Sequence, residues 1–141
     1  MQNSIMIFGT FDILHLGHID FFKQAKQHGN FLSVVLATDE RVAEIKGTPP
    51  MHTQAERKQM LEAMRDIDAV ILGDSTDVYR AIKERRPEVI ALGYDQRHFV
   101  DKLEQVLKDE CLEKTRIVRL LPYKPEHHKS GKIRDYVEKQ I

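Results

Sequence analysis

The amino-acid sequence predicts an α/β protein built on a doubly wound parallel sheet of five strands in the order 3-2-1-4-5. Three observations predict it. Short strand-like runs at Ile5 to Phe8, Phe31 to Ala37, Ala69 to Leu72, Val89 to Leu92 and Arg116 to Leu121 alternate with helical patterns, and strands alternating with helices pack as a parallel sheet. The second run, FLSVVLA, is near-continuous, apolar and β-branched, as a strand covered on both faces reads. At 141 residues the chain suits one domain, 1–141, that buries roughly two thirds of its unfolded surface. Right-handed crossovers then place the first strand centrally.

Each element has its own signal. Ile5 to Phe8 breaks at Gly9 into a loop ending in His15, Leu16, Gly17 and His18. From Ile19 to His28, Phe21, Phe22 and Ala25 recur at helical spacing, and Gly29-Asn30 supplies the stop. After the second strand, Thr38-Asp39-Glu40 opens a polar segment with room for a short helix, reaching Lys46-Gly47-Thr48-Pro49-Pro50. Its prolines predict a surface loop. Thr53 with Glu56 is a capping box, and Ala55, Met60, Leu61 and Met64 carry a helical stripe to about Arg65. Asp77 to Arg86 is a predicted helix stopped by Pro87, and the fourth strand ends in Gly93-Tyr94-Asp95-Gln96. Phe99 to Glu113 reads as a further helix, and Ser130 is the candidate N-cap of a closing helix.

Composition narrows the function. Lys and Arg together number 22, as do Asp and Glu, giving a formal net charge of zero. A long polyanion such as nucleic acid has no basic field to meet. The N-terminus lacks the basic stretch and apolar core of a secretory signal, and no apolar run approaches the ~20 residues of a membrane span, so a cytoplasmic protein without a membrane partner is expected. Cys111 is the only cysteine, which excludes an intrachain disulfide and a thiolate metal cluster.

The stretch IMIFGTFDILHLGH, residues 5 to 18, carries the chemistry. Strand, tight turn and helix start present backbone N–H groups and a positive dipole to an anion. Gly9 is expected to let the backbone turn sharply, and Gly17 removes a side chain where a ligand approaches. His15 and His18 lie three residues apart, on one face if the helix has begun by His15. That pairing suggests phosphate chemistry. In the predicted topology Gly9 to His18 and Gly93 to Gln96 converge at the carboxyl ends of strands one and four.

GTFD followed by HLGH resembles the signature of the HxGH nucleotidyltransferases, in the cytidylyltransferase-like branch, whose fold is Rossmann-like. IALGYDQ at 90 to 96 is similar to the archaeal FAD synthases within that branch. The resemblance implies transfer of AMP from ATP to FMN, giving FAD and pyrophosphate, with a divalent cation, Mg²⁺, arriving largely on the nucleotide. Glycerol-3-phosphate cytidylyltransferases share GTFD, HxGH and size, and make CTP the alternative donor. A non-catalytic adenine-nucleotide sensor on the same fold is a third reading. Relatives are often homodimers.

The resemblance also implies residue roles. His15 and His18 each donate a hydrogen bond to phosphate oxygens, in either protonation state; Gly9, Thr10, Phe11, Leu16 and Gly17 form the turn against the nucleotide; Lys46 reaches the phosphates. Asp12 orients that loop or helps hold a metal-bound phosphate, or is an Asx-turn residue or the helix N-cap. Arg57 matches a family arginine or is structural. Asp95 accepts from ribose hydroxyls or a base amine, or is an exposed turn aspartate. Tyr123 stacks on the base or is a rim aromatic. Ile13, Leu14 and Leu16 line a flavin cleft or pack beneath the loop. Related cytidylyltransferases carry an RTEGISTT-like turn before the last helix; here the basic stretch Lys124 to Arg134 retains only Ser130 of its hydroxyl cluster.

Overall fold

The computed structural model describes residues 3–97 and 100–123. Its strands are β1 (Ser4–Gly9), β2 (Phe31–Leu36), β3 (Ala69–Leu72), β4 (Val89–Leu92) and β5 (Arg116–Arg119). They form one sheet in the order β3-β2-β1-β4-β5, with every neighbouring pair parallel. Helices α1 (Leu16–Lys26), α2 (Asp39–Lys46), α3 (Gln54–Glu62), α4 (Arg80–Arg85) and α5 (Val100–Asp109) fill the connections.

Alternation along the strands divides the core in two. Ile5, Ile7, Leu32, Val34 and Leu36 face α1 and α3 and pack with Phe22, Ala25 and Leu61. Met6, Phe8, Val35, Ile90 and Leu92 face the other way, onto Ala81 and Ile82 of α4 and Leu103 and Leu107 of α5. Each of these larger side chains contributes about 1.5 to 3 kcal/mol by leaving water. A central sheet buried on both faces is what the apolar runs require.

Several boundaries differ from the sequence expectation, each for a local reason. Helix α1 begins at Leu16, not Ile19, because His15 caps it. The polar segment after β2 is helical through Lys46, and Gly47 in the left-handed region (φ 80°) ends it, so Lys46 lies in a last helical turn and not in the loop. Helix α3 stops at Glu62, three residues before Arg65. Helix α4 starts at Arg80, since Asp77 Oδ1 instead accepts the Tyr79 N–H at 3.0 Å in a turn. Helix α5 ends at Asp109, short of Glu113, with Cys111 at φ 57°. β5 ends at Arg119 and not Leu121. Ser130, the basic stretch and the expected closing helix lie outside the described residues. Among the described residues no helix is long and apolar enough to cross a membrane.

Candidate active site

The loop between β1 and α1 is shaped by an aromatic wedge. Phe11 takes a left-handed backbone (φ 51°), uncommon for a non-glycine residue, and its ring is buried among Phe21, Phe22 and His18. A Cβ on Gly9 would stand 2.7 Å from that ring. Glycine is therefore required at position 9 for space and not for a turn; the positive φ falls two residues later. Phe11 meets any ligand through its backbone, its ring being committed to the core.

His15 and His18 sit at the start of α1. The Gly17 N–H donates to His15 Nδ1 at 3.1 Å, and the His15 N–H donates to His18 Nδ1 at 3.3 Å. The rings stack with centroids 3.9 Å apart. An Nδ1 that accepts a backbone N–H holds no proton, so each neutral ring carries its hydrogen on Nε2. For His18, burial and then the neighbouring His15 push the imidazole pKa down to about 4. Without nucleotide His18 is thus a neutral Nε2–H donor at pH 7.

Asp12 is not the helix N-cap. Its Oδ2 accepts the Met51 N–H at 2.7 Å, its Oδ1 accepts the His52 N–H at 2.8 Å, and the His52 ring Nδ1 lies 2.8 Å from the Asp12 carbonyl. Burial raises its pKa, but these backbone hydrogen bonds and the His52 ring outweigh it and hold the carboxyl below its usual value. Asp12 thereby ties the β1 loop to the entry of α3.

Arg57 performs the same task from beneath. Only 1% exposed, it donates to the carbonyls of Thr10 and Ala37 at 2.9 Å and of His52 at 3.1 Å, and to Asp39 Oδ1 at 2.8 Å. Its guanidinium is spent on three loops, which decides for the structural alternative.

The other expected residues are less tightly gathered. Leu16 is half exposed at the first position of α1. Lys46 is exposed, and among the described residues no hydrogen bond or ion pair links it to the histidines. Asp95 is exposed in the turn after β4, and Tyr123 is half-buried where the described chain ends. The turn itself is brought against β1 by Gln96 and against β5 by Arg119; the sequence placed Gln96 in this turn without a role of its own, and an exposed arginine on β5 carried no signal.

Beside this turn opens a cavity of about 140 Å³ at the carboxyl ends of β1, β2 and β3. Phe8, Val35 and Leu36 floor it, Ile45 and Val78 close it, and Thr10, Arg41 and Gln96 border it. Ile13, Leu14 and Leu16 do not line it. Leu14 packs against the core cluster on the α1 side of the sheet, whereas the cavity opens beside Phe8 and Val35, which face α4 and α5.

Comparison with known proteins agrees with this geometry. The family described as cytidylyltransferase-like matches residues 6–135. The FAD synthase of Pyrococcus abyssi is 40% identical over 131 residues, 92% of this chain and 88% of the relative. That of Picrophilus torridus is 39% identical over 132 residues, 93% of each. Among solved structures, a lipopolysaccharide core biosynthesis protein from Thermoplasma volcanium superposes with a TM-score of 0.80 at 33% identity, covering 87% of this chain and 99% of its own. A pantoate-beta-alanine ligase from Francisella tularensis, solved with β-γ ATP and β-alanine, shares the fold with a TM-score of 0.59 at 17% identity, covering 94% of this chain and 68% of its own.

Proposed function

The chain belongs to the cytidylyltransferase-like family, and on that premise we propose that it is a nucleotidyltransferase that moves AMP from ATP onto FMN, releasing FAD and pyrophosphate. The FAD synthases at about 40% identity over most of both chains support that pair of substrates. The observation in the site that carries the reading is the stacked histidine pair, whose Nδ1 atoms are held by backbone N–H groups at the head of α1.

In this reading a phosphate oxygen of FMN attacks the α-phosphorus of ATP. The new P–O bond forms as the bond to the β-phosphate oxygen breaks, and pyrophosphate carries the electron pair away. No covalent enzyme intermediate is needed. Catalysis is positioning plus stabilisation of charge on phosphate oxygens, which is what two fixed Nε2–H donors and a helix N-terminus supply. A neutral His18 also leaves more of the metal-bound triphosphate's charge to Lys46 and the backbone.

The nucleotide goes to the crevice between β1 and β4, with Gly9, Thr10, Phe11, Leu16 and Gly17 beneath its phosphates, Asp95 and Tyr123 toward ribose and base, and Ser130 from beyond the described residues. FMN goes to the neighbouring cavity, whose Phe8, Val35, Leu36, Ile45 and Val78 suit a flat aromatic ring better than a small polyol. Enzymes of this class use a divalent cation, and Mg²⁺ is our reading of it. Both Asp12 oxygens already hold backbone N–H groups, and the described residues contain no group of three or more His, Cys, Asp or Glu able to hold a metal; they do not fit a protein cage, and the cation enters on the nucleotide. A cytoplasmic homodimer completes the reading.

Purified protein with ATP, FMN and Mg²⁺ should release pyrophosphate and form FAD, read by chromatography, and CTP with glycerol 3-phosphate should give little product. Efficient CTP-dependent turnover without FAD would overturn the choice of substrates. Nucleotide binding with neither turnover would mark a sensor.

A further inference from the structure

The ladder between β1 and β4 is short. Its register pairs are Ile5 with Val89 and Met6 with Ile90, although β1 runs on to Gly9 and β4 to Leu92. On either flank pairing persists to the strand ends, Gly9 facing Leu36 on one side and Leu92 facing Arg119 on the other. The sheet therefore parts along one line, where crossovers leave in opposite directions and such sheets take ligands.

One side chain spans the gap. Gln96 Nε2 donates to the Phe8 carbonyl at 3.1 Å, and Gln96 Oε1 accepts the Gly93 N–H at 3.1 Å. Its own N–H closes the turn on the Gly93 carbonyl at 3.1 Å. From the far side Arg119 Nη1 donates to the carbonyls of Gly93 at 2.7 Å and Gln96 at 2.9 Å. A carboxamide donates and accepts at once without charge, so it replaces the backbone rung that the parted strands have given up. The same side chain borders the apolar cavity.

We propose that Gln96 is a positioning residue that holds the Gly93–Gln96 turn across the crevice, with Arg119 gripping it from behind, so that nucleotide and acceptor sites share one wall. This rests on reading the crevice as the nucleotide site. Glutamate is the discriminating substitution, because it matches glutamine in size and still accepts the Gly93 N–H, yet turns an oxygen toward the Phe8 carbonyl oxygen and converts attraction into repulsion.

The test uses the full chain with Gln96→Glu and Arg119→Met, steady-state kinetics with ATP and FMN, calorimetric titration of ATP alone, and melting temperature. Gln96→Glu should raise the KM and Kd for ATP by ~10-fold or more and the KM for FMN severalfold, with kcat falling less than ~3-fold. Arg119→Met should raise the ATP constants severalfold and leave the FMN KM in place, since it grips the turn from the side away from the cavity. Should Gln96→Glu not fold, Gln96→Met, which loses both hydrogen bonds without adding charge, is judged by the same criteria. ATP constants within ~2-fold of wild type in the folded variant, or a loss confined to melting temperature, would overturn the proposal. If wild type binds ATP but makes no FAD, the substrate reading fails, and the clamp stands or falls on the ATP Kd alone.

Discussion

Replacing His18 by glutamine should flatten the acid side of the stability curve. The folded-state pKa of His18 is about 4, against an ordinary value of 6.5, through burial and then the adjacent His15. Above pH 6.5 neither folded nor unfolded chain protonates this ring, so it adds no pH dependence. As pH falls from 6.5 toward 4 the unfolded chain takes up a proton that the folded chain refuses, and stability is lost. Linkage over that interval gives about 2 kcal/mol by pH 5 and about 3 kcal/mol by pH 4. Glutamine keeps an oxygen that can accept the His15 N–H but has no proton to gain. Urea unfolding followed by far-ultraviolet circular dichroism at half-unit steps from pH 7.5 to 4 measures both proteins. The wild-type minus variant difference should slope downward across pH 6.5 to 4; parallel curves would refute the burial of a neutral ring.

Three further outcomes follow from the site. His15→Ala and His18→Ala should each lower kcat by roughly a hundredfold or more while KM for the nucleotide moves less, because fixed donors act on charge that develops in the transition state; stopped-time FAD formation reads this, and near-wild-type turnover in both would remove the histidine mechanism. Lys46→Ala should lose turnover with a melting shift under about 2 °C, as expected of an exposed last-turn side chain; a large shift would contradict its surface position. Arg57→Met should destabilise by roughly 2 to 4 kcal/mol, since it strands the part-buried carbonyls of Thr10, Ala37 and His52 together, and chemical denaturation showing under about 1 kcal/mol would contradict the staple.

The strands were readable because a sheet covered on both faces writes itself as apolar runs, and β3 and β4 fall on the residues expected. Helix ends were less so, because a histidine at the N-cap of α1 and left-handed residues at Gly47 and Cys111 set them, and none but glycine advertises this in sequence. His15 and His18 were found as a pair, yet the backbone hydrogen bonds that select their tautomer depend on coordinates. Arg57 stood between a family role and a structural one; its burial arises from three loops that converge only after folding. Gln96 and Arg119 answer to a parting of two strands, a property of the sheet and of no single segment.

The hydrogen bonds at the head of α1 have a consequence for how the protein becomes competent. The amide of Gly17 in the first turn of the helix is the same amide that occupies Nδ1 of His15 and leaves its proton to Nε2, so winding the first turn and setting that tautomer are one event. A frayed turn releases that tautomer, without any displacement of the chain elsewhere. The exchange rate of that single amide with deuterated solvent therefore measures how often the turn opens and the tautomer is released, before any substrate is added.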